Sequence, residues 1–172
     1  MQRFAILPLI VFVSFWLYAT TGHSVNSTEV SQINAYREWA RKVLLEISYM
    51  IDEVAIKMGN GDLQQAEIAA EKSIITLNSF SKEQKKIIVP SRLKKLDELL
   101  SKSFETEKEG FALLVKSLKL GATGNLEYYQ EASYYVTEGN SKIKEAAKLQ
   151  VSIYNEIQQV IAELENQSKT NN

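Results

Sequence analysis

The chain has no cysteine, one histidine and two prolines in 172 residues. Without cysteine there can be no disulfide, thiolate metal site or thiol nucleophile, and no N-terminal cysteine to carry a lipid. The single histidine, His23, precedes the patterned part of the chain. Neither a Ser-His-Asp arrangement nor the Glu-x-x-His pairs of a di-metal bundle can therefore be assembled inside a core. Charge of one sign is also lacking, since 20 Lys+Arg face 21 Asp+Glu. That balance argues against a nucleic-acid partner. No stretch alternates with period two between turns, so strand signals are missing. GNGD and GATGN join helical stretches rather than strand to helix, unlike a phosphate-binding or dinucleotide loop. The expectation is a protein that is not an enzyme, with no catalytic residue, metal or cofactor.

What is present begins with an apolar block. Arg3 is the last charge before Glu29, and Phe4 to Ala19 is broken only by Pro8 and Ser14. A short basic start, an apolar run and then small or polar residues form the pattern of a secretory signal. The run of about 16 residues makes a helix of about 24 Å, slightly short of a comfortable bilayer span. A buried core helix would show a polar stripe, and this block has none. Residues 1–22 are therefore expected to be a signal peptide, cut after Gly22 or Ser24, or a retained membrane anchor; residues 23–28 are a linker. Basic charge on the short N-terminal side directs the rest of the chain outward. The expected location is extracytoplasmic, either on the cell membrane with the N-terminus inside or secreted.

From Glu29 onward the pattern is helical. Ile33, Tyr36, Ala40, Val43, Ile47, Met50, Val54 and Met58 recur every three or four residues, which marks one buried face. Gly59-Asn60-Gly61 ends that run, and Asp62 with Gln65 resembles a capping box opening the next helix. Leu63, Ala66, Ala70, Ile74 and Leu77 make its stripe, which weakens over the polar stretch Asn78–Lys86 before Pro90. A third stripe is made by Leu93, Leu96, Leu100, Phe104, Phe111, Leu114 and Leu118. After Gly121–Gly124, Asn125 is a plausible N-cap for a helix bearing Tyr129, Ala132, Val136, Gly139, Ile143, Ala146, Ile153, Ile157, Val160 and Leu164. The two turns echo each other, Lys57-Met58-Gly59 then Gly61-Asp62-Leu63 against Lys119-Leu120-Gly121 then Gly124-Asn125-Leu126. Two hairpins, 29–80 and 91–167, then bury their stripes against each other. The predicted fold is an all-α four-helix up-down bundle over 29–167, with a disordered tail at 168–172.

Three features stand out as candidate contacts. Glu107 falls on the third apolar stripe. It would either meet a cation or ligand amine or, as is commoner, sit at the stripe's edge with its carboxylate in water. Lys82, Lys85, Lys86, Arg92, Lys94 and Lys95 crowd the connector. They suit anionic lipid headgroups or anionic cell-wall polymers, or form a solvated turn balanced by Asp97, Glu98, Glu105, Glu107 and Glu109. No aromatic interleaves with these cations, which again disfavours nucleic acid. Tyr128, Tyr129, Tyr134 and Tyr135 surround the start of the fourth helix. Some are expected in the core; the rest are either incidentally exposed, which is commoner, or a contact surface for a peptide, glycan or partner helix.

The order of signal, helix, Gly-Asn/Asp turn, helix, Pro90 with Leu93 and Leu96 after it, then a second hairpin resembles the signal-bearing helical-bundle envelope proteins of Gram-positive bacteria. Many of those are lipoproteins, and this chain departs from them because no cysteine is available for lipidation. The resemblance implies a bundle acting outside the membrane as a binding or structural envelope component, with an envelope protein as a possible partner. It transfers no catalytic residue. The alternative is a sensor or carrier that holds a small amphiphile between the helices, with Gly110, Gly139, Ala132 and Ser103 leaving room for it.

Overall fold

A computed structural model describes residues 27–170. The apolar block 1–22 and most of the linker thus lie outside the described residues. The helices come in the order α1 (Ser27–Gly59), α2 (Leu63–Gln84), α3 (Lys94–Ala122) and α4 (Tyr129–Thr170). Single 3-10 turns at Ser91–Leu93 and Leu126–Tyr128 lead into α3 and α4. Each helix packs on the next in the chain, with α3 and α4 in the most extensive contact. The described residues are thus an all-α helical bundle. No helix among them is long and apolar enough to cross a membrane.

The stripes account for the packing. Ile33, Tyr36, Ala40, Val43, Ile47, Met50 and Val54 of α1 are buried, as are Leu93, Leu96, Leu100, Phe104, Phe111, Leu114 and Leu118 around α3. The echoed turns share one device. Gly61 has φ 76° and Gly124 has φ 66°, a region that glycine enters without steric cost. In each turn the residue after that glycine caps the next helical segment. Asp62 Oδ1 accepts from Gln65 N at 3.1 Å, and Asn125 Oδ1 accepts from Glu127 N at 3.0 Å. Both free backbone donors are thereby satisfied at a helix start.

The elements run further than their apolar periodicity suggests. Ser27 and Thr28, read as linker, are already helical in α1. α2 continues to Gln84 through the polar stretch. Phe80 packs on Phe104 with ring centroids 6.2 Å apart. The Ser81 hydroxyl donates to the Leu77 carbonyl, and Gln84 is itself buried. α4 remains helical to Thr170, into the stretch expected to be a disordered tail, and Val160 and Leu164 still pack on the core in its later turns. At its other end Tyr129 leaves the stripe and is 65% exposed.

The seam between α3 and α4 is set by two glycines. A Cβ on Gly110 would lie 2.9 Å from Ile143 Cγ1 and 3.1 Å from the Gly139 carbonyl oxygen. A Cβ on Gly139 would meet the Gly110 carbonyl at 3.0 Å and the Leu114 side chain at 3.1 Å. The helices meet backbone to backbone here, so the room expected at these glycines is already filled. Gly139→Ala should therefore destabilise the protein by about 1–3 kcal/mol through overpacking. Gly59→Ala, which meets no atom within 4 Å, should stay within about 0.5 kcal/mol of the parent or gain slightly. Urea unfolding of the two variants checks the contrast.

Candidate functional site

Glu107 is fully buried, contrary to the expectation that its carboxylate reaches water. It lies three residues before Gly110, so the close approach of α4 closes over the face on which its side chain starts. Gln150, on the same face of α4 as Gly139, donates from Nε2 to Glu107 Oε1 at 2.7 Å. Glu107 Oε2 has no partner, and neither does Ser103 Oγ, buried one turn earlier on α3. A carboxylate with only one neutral donor in an apolar seam is costly, whereas the acid form carries a proton to donate. Burial accordingly pushes the Glu107 carboxyl up to about 8, and the Gln150 hydrogen bond opposes this to a smaller extent. Among the described residues no three His, Cys, Asp or Glu side chains gather where they could hold a metal ion. What Glu107 can do chemically is hold a proton.

A second polar cluster joins three helices and was not singled out in the sequence. Tyr36 of α1 donates its hydroxyl to Asp97 Oδ1 on α3 at 2.5 Å. Gln84 at the end of α2 donates from Nε2 to the same oxygen at 2.7 Å and to the Asp97 carbonyl at 2.8 Å. Burial first, and the neighbouring Asp97 carboxylate second, push the Tyr36 hydroxyl far above its ordinary range, so it remains a donor. Trp39 meets Tyr36 edge-on, with centroids 5.6 Å apart, and its indole N–H donates to Glu83 at 3.4 Å. Beside the cluster is a polar surface depression of ≈ 140 Å³, lined by Ser81, Gln84, Lys85, Asp97, Ser101 and Glu105. Sites for drug-sized ligands are larger and mainly apolar, roughly 300–1,000 Å³. The available sequence signal was Tyr36 itself, because a tyrosine on a buried stripe needs a hydroxyl partner.

The six connector cations divide into two sets. Arg92 is half-buried and pairs through Nε with Glu29 of α1 at 3.2 Å and through Nη1 with Glu163 of α4 at 3.9 Å. Lys95 pairs with Glu156 at 2.8 Å. These two stitch helices together. Lys82, Lys85, Lys86 and Lys94 are exposed, with no ion pair among the described residues. Of the acids expected to balance them, Asp97 is committed to Tyr36 and Gln84, Glu105 to Lys108 at 2.7 Å, and Glu109 to Lys142 at 2.8 Å, whereas Glu98 is exposed one turn after Lys94. Glu107 is inside the seam.

The tyrosines do not enter the core as some were expected to. Tyr128, Tyr129 and Tyr134 are exposed. Tyr135 is half-buried, with Lys116 Nζ 5.5 Å from its ring centroid and Tyr134 edge-on at 5.6 Å. Every residue from Gly121 to Glu131 is exposed. The α1–α2 hairpin also carries exposed apolar side chains outside its stripes, namely Leu45, Tyr49, Ile56, Ile68 and Ile75.

The polar clusters lead to two measurements. Below about pH 4.5, the ordinary Glu107 value, the carboxyl is protonated in both folded and unfolded chains, and its contribution is fully present. Between there and about 8 only the unfolded chain ionises, so stability falls as pH rises, by at most about 1.4 kcal/mol per unit. Glu107→Gln keeps the shape and removes that slope. Its Tm relative to the parent should climb from pH 5 to pH 8, and parallel curves would refute the assignment. Tyr36→Phe leaves Asp97 with one donor fewer and should cost about 1–3 kcal/mol in chemical denaturation at neutral pH.

No protein-family model, curated protein or solved structure matches this chain.

Proposed function

We propose that the protein is an extracytoplasmic helical bundle, held on a membrane by Phe4–Ala19 or released after cleavage. It acts by binding or as a structural component of the envelope, not by catalysis. The observation that carries this reading is the basic, apolar and then polar order of residues 1–24, placed directly before a bundle that is separately patterned. The buried polar groups support it: Gln84, Glu107 and Ser117 bond across helices, Ser73 and Thr106 bond within their own, and none of these bonds pairs a nucleophile with a base. The kinship with envelope bundles of Gram-positive bacteria belongs to the same proposal. Carriage of an amphiphile between helices has weaker support, because the Gly110–Gly139 seam is filled by backbone.

Cell fractionation with intact-mass measurement tests the reading. A retained anchor puts the full 19.5 kDa chain in the membrane fraction. Cleavage puts a shorter chain, starting at His23 or Val25, outside the cell. A full-length chain soluble in the cytoplasm would overturn the proposal.

A further inference from the structure

The unpaired lysines and the start of α1 share one end of the bundle. The Arg92 pairs with Glu29 and Glu163 draw together the first turn of α1, the α2–α3 connector and the late turns of α4. Whatever precedes Ser27 enters the bundle at this end. Ala19 and Ser27 are eight residues apart, a tether of at most about 29 Å when fully extended. The tyrosine-bearing turn lies at the far end of α1, whose 33 residues span about 50 Å. Of the two candidate surfaces, only the connector is within reach of a membrane into which the N-terminal block is inserted.

The connector is also shaped for such a surface. Ile87 and Val89 turn inward and pack on the core, while Ile88 between them is 76% exposed. Lys82, Lys85, Lys86 and Lys94, all exposed, flank it along the chain without ion pairs among the described residues. Of the nearby acids, Glu83 accepts from Trp39, Glu29 and Glu163 face Arg92, and Glu98 is exposed one turn after Lys94, leaving four cations against one open carboxylate. A protruding aliphatic side chain on a connector flanked by exposed ammonium groups matches an anionic lipid interface. The lysines meet headgroups there, and the apolar side chain enters the acyl boundary.

We propose that the α2–α3 connector is a second membrane contact, with Ile88 inserted and Lys82, Lys85, Lys86 and Lys94 on anionic lipid headgroups. This rests on the anchored reading above. The contact holds the bundle by two points, which fixes its orientation and turns the Tyr128–Tyr135 end away from the bilayer.

The cysteine-free chain allows a direct test. An environment-sensitive fluorophore is attached to the full-length protein through Ile88→Cys, or through Leu126→Cys at the opposite end. Each is reconstituted with vesicles of phosphatidylcholine alone and of phosphatidylcholine with one quarter phosphatidylglycerol. The expected result is that both labelled chains float with both vesicles. Only the probe at 88 should shift to the blue and resist an aqueous quencher, and only with the anionic lipid. The shift should shrink as salt is raised, and Lys82, Lys85, Lys86 and Lys94 changed together to serine should abolish it while flotation persists. Chains that do not float overturn the anchor itself. Chains that float with a water-like probe at 88 overturn the lipid contact and leave the anchor standing. A probe at 88 that answers to soluble anionic wall polymer but not to phosphatidylglycerol overturns it in favour of the polymer.

Discussion

The bundle depends on the contact between the α3 and α4 backbones at Gly110 and Gly139. With carbonyl oxygens about 3 Å from where either Cβ would stand, the two helices have almost no freedom to slide or separate at that level. Apolar burial then extends along the seam through Phe104, Phe111, Leu114, Ala146 and Ile153. The same closeness shuts out water. A glutamate one turn away, which on a looser pair of helices would bend toward solvent, is enclosed with a single neutral donor. The protonated state of Glu107 is therefore a consequence of helix geometry more than of any special neighbour.

The elements legible in the sequence are those written in local chemistry. Glycine next to Asp62 or Asn125 is enough to specify both glycine turns, since a positive φ and an N-cap are properties of adjacent residues. The apolar period likewise identifies the buried faces of α1 and α3. Three features escaped, each decided by a neighbouring helix. Gln84 looks like part of a fading polar helix end until Asp97 comes opposite it across the Pro90 connector. Glu107 looks like an edge residue until the α3–α4 distance is known. Tyr129 fits the fourth stripe yet is 65% exposed, because no neighbouring helix covers it. Periodicity tells which face turns inward, but not whether anything lies there to meet it.

The two ends of the bundle have different chemistry. One end gathers cations, a protruding isoleucine and the start of α1; the other presents tyrosines, Leu126 and two glycine turns. On the proposed reading, this gives the molecule an inner end that meets the bilayer and an outer end offered to the surroundings. The sequence contains both patches but leaves open that they are separated by the length of α1.

The Glu29–Arg92–Glu163 clasp also bears on mechanics. One guanidinium ties the first turn of α1, the connector and a late turn of α4. A pull on the chain at Ser27 therefore does not simply peel α1 from its N-terminus. Part of the load passes through Arg92 to two other segments, a resistance of about 0–1 kcal/mol for each of these partly exposed pairs. For a domain tethered at that point, the clasp acts as strain relief, like the collar where a cable enters its housing.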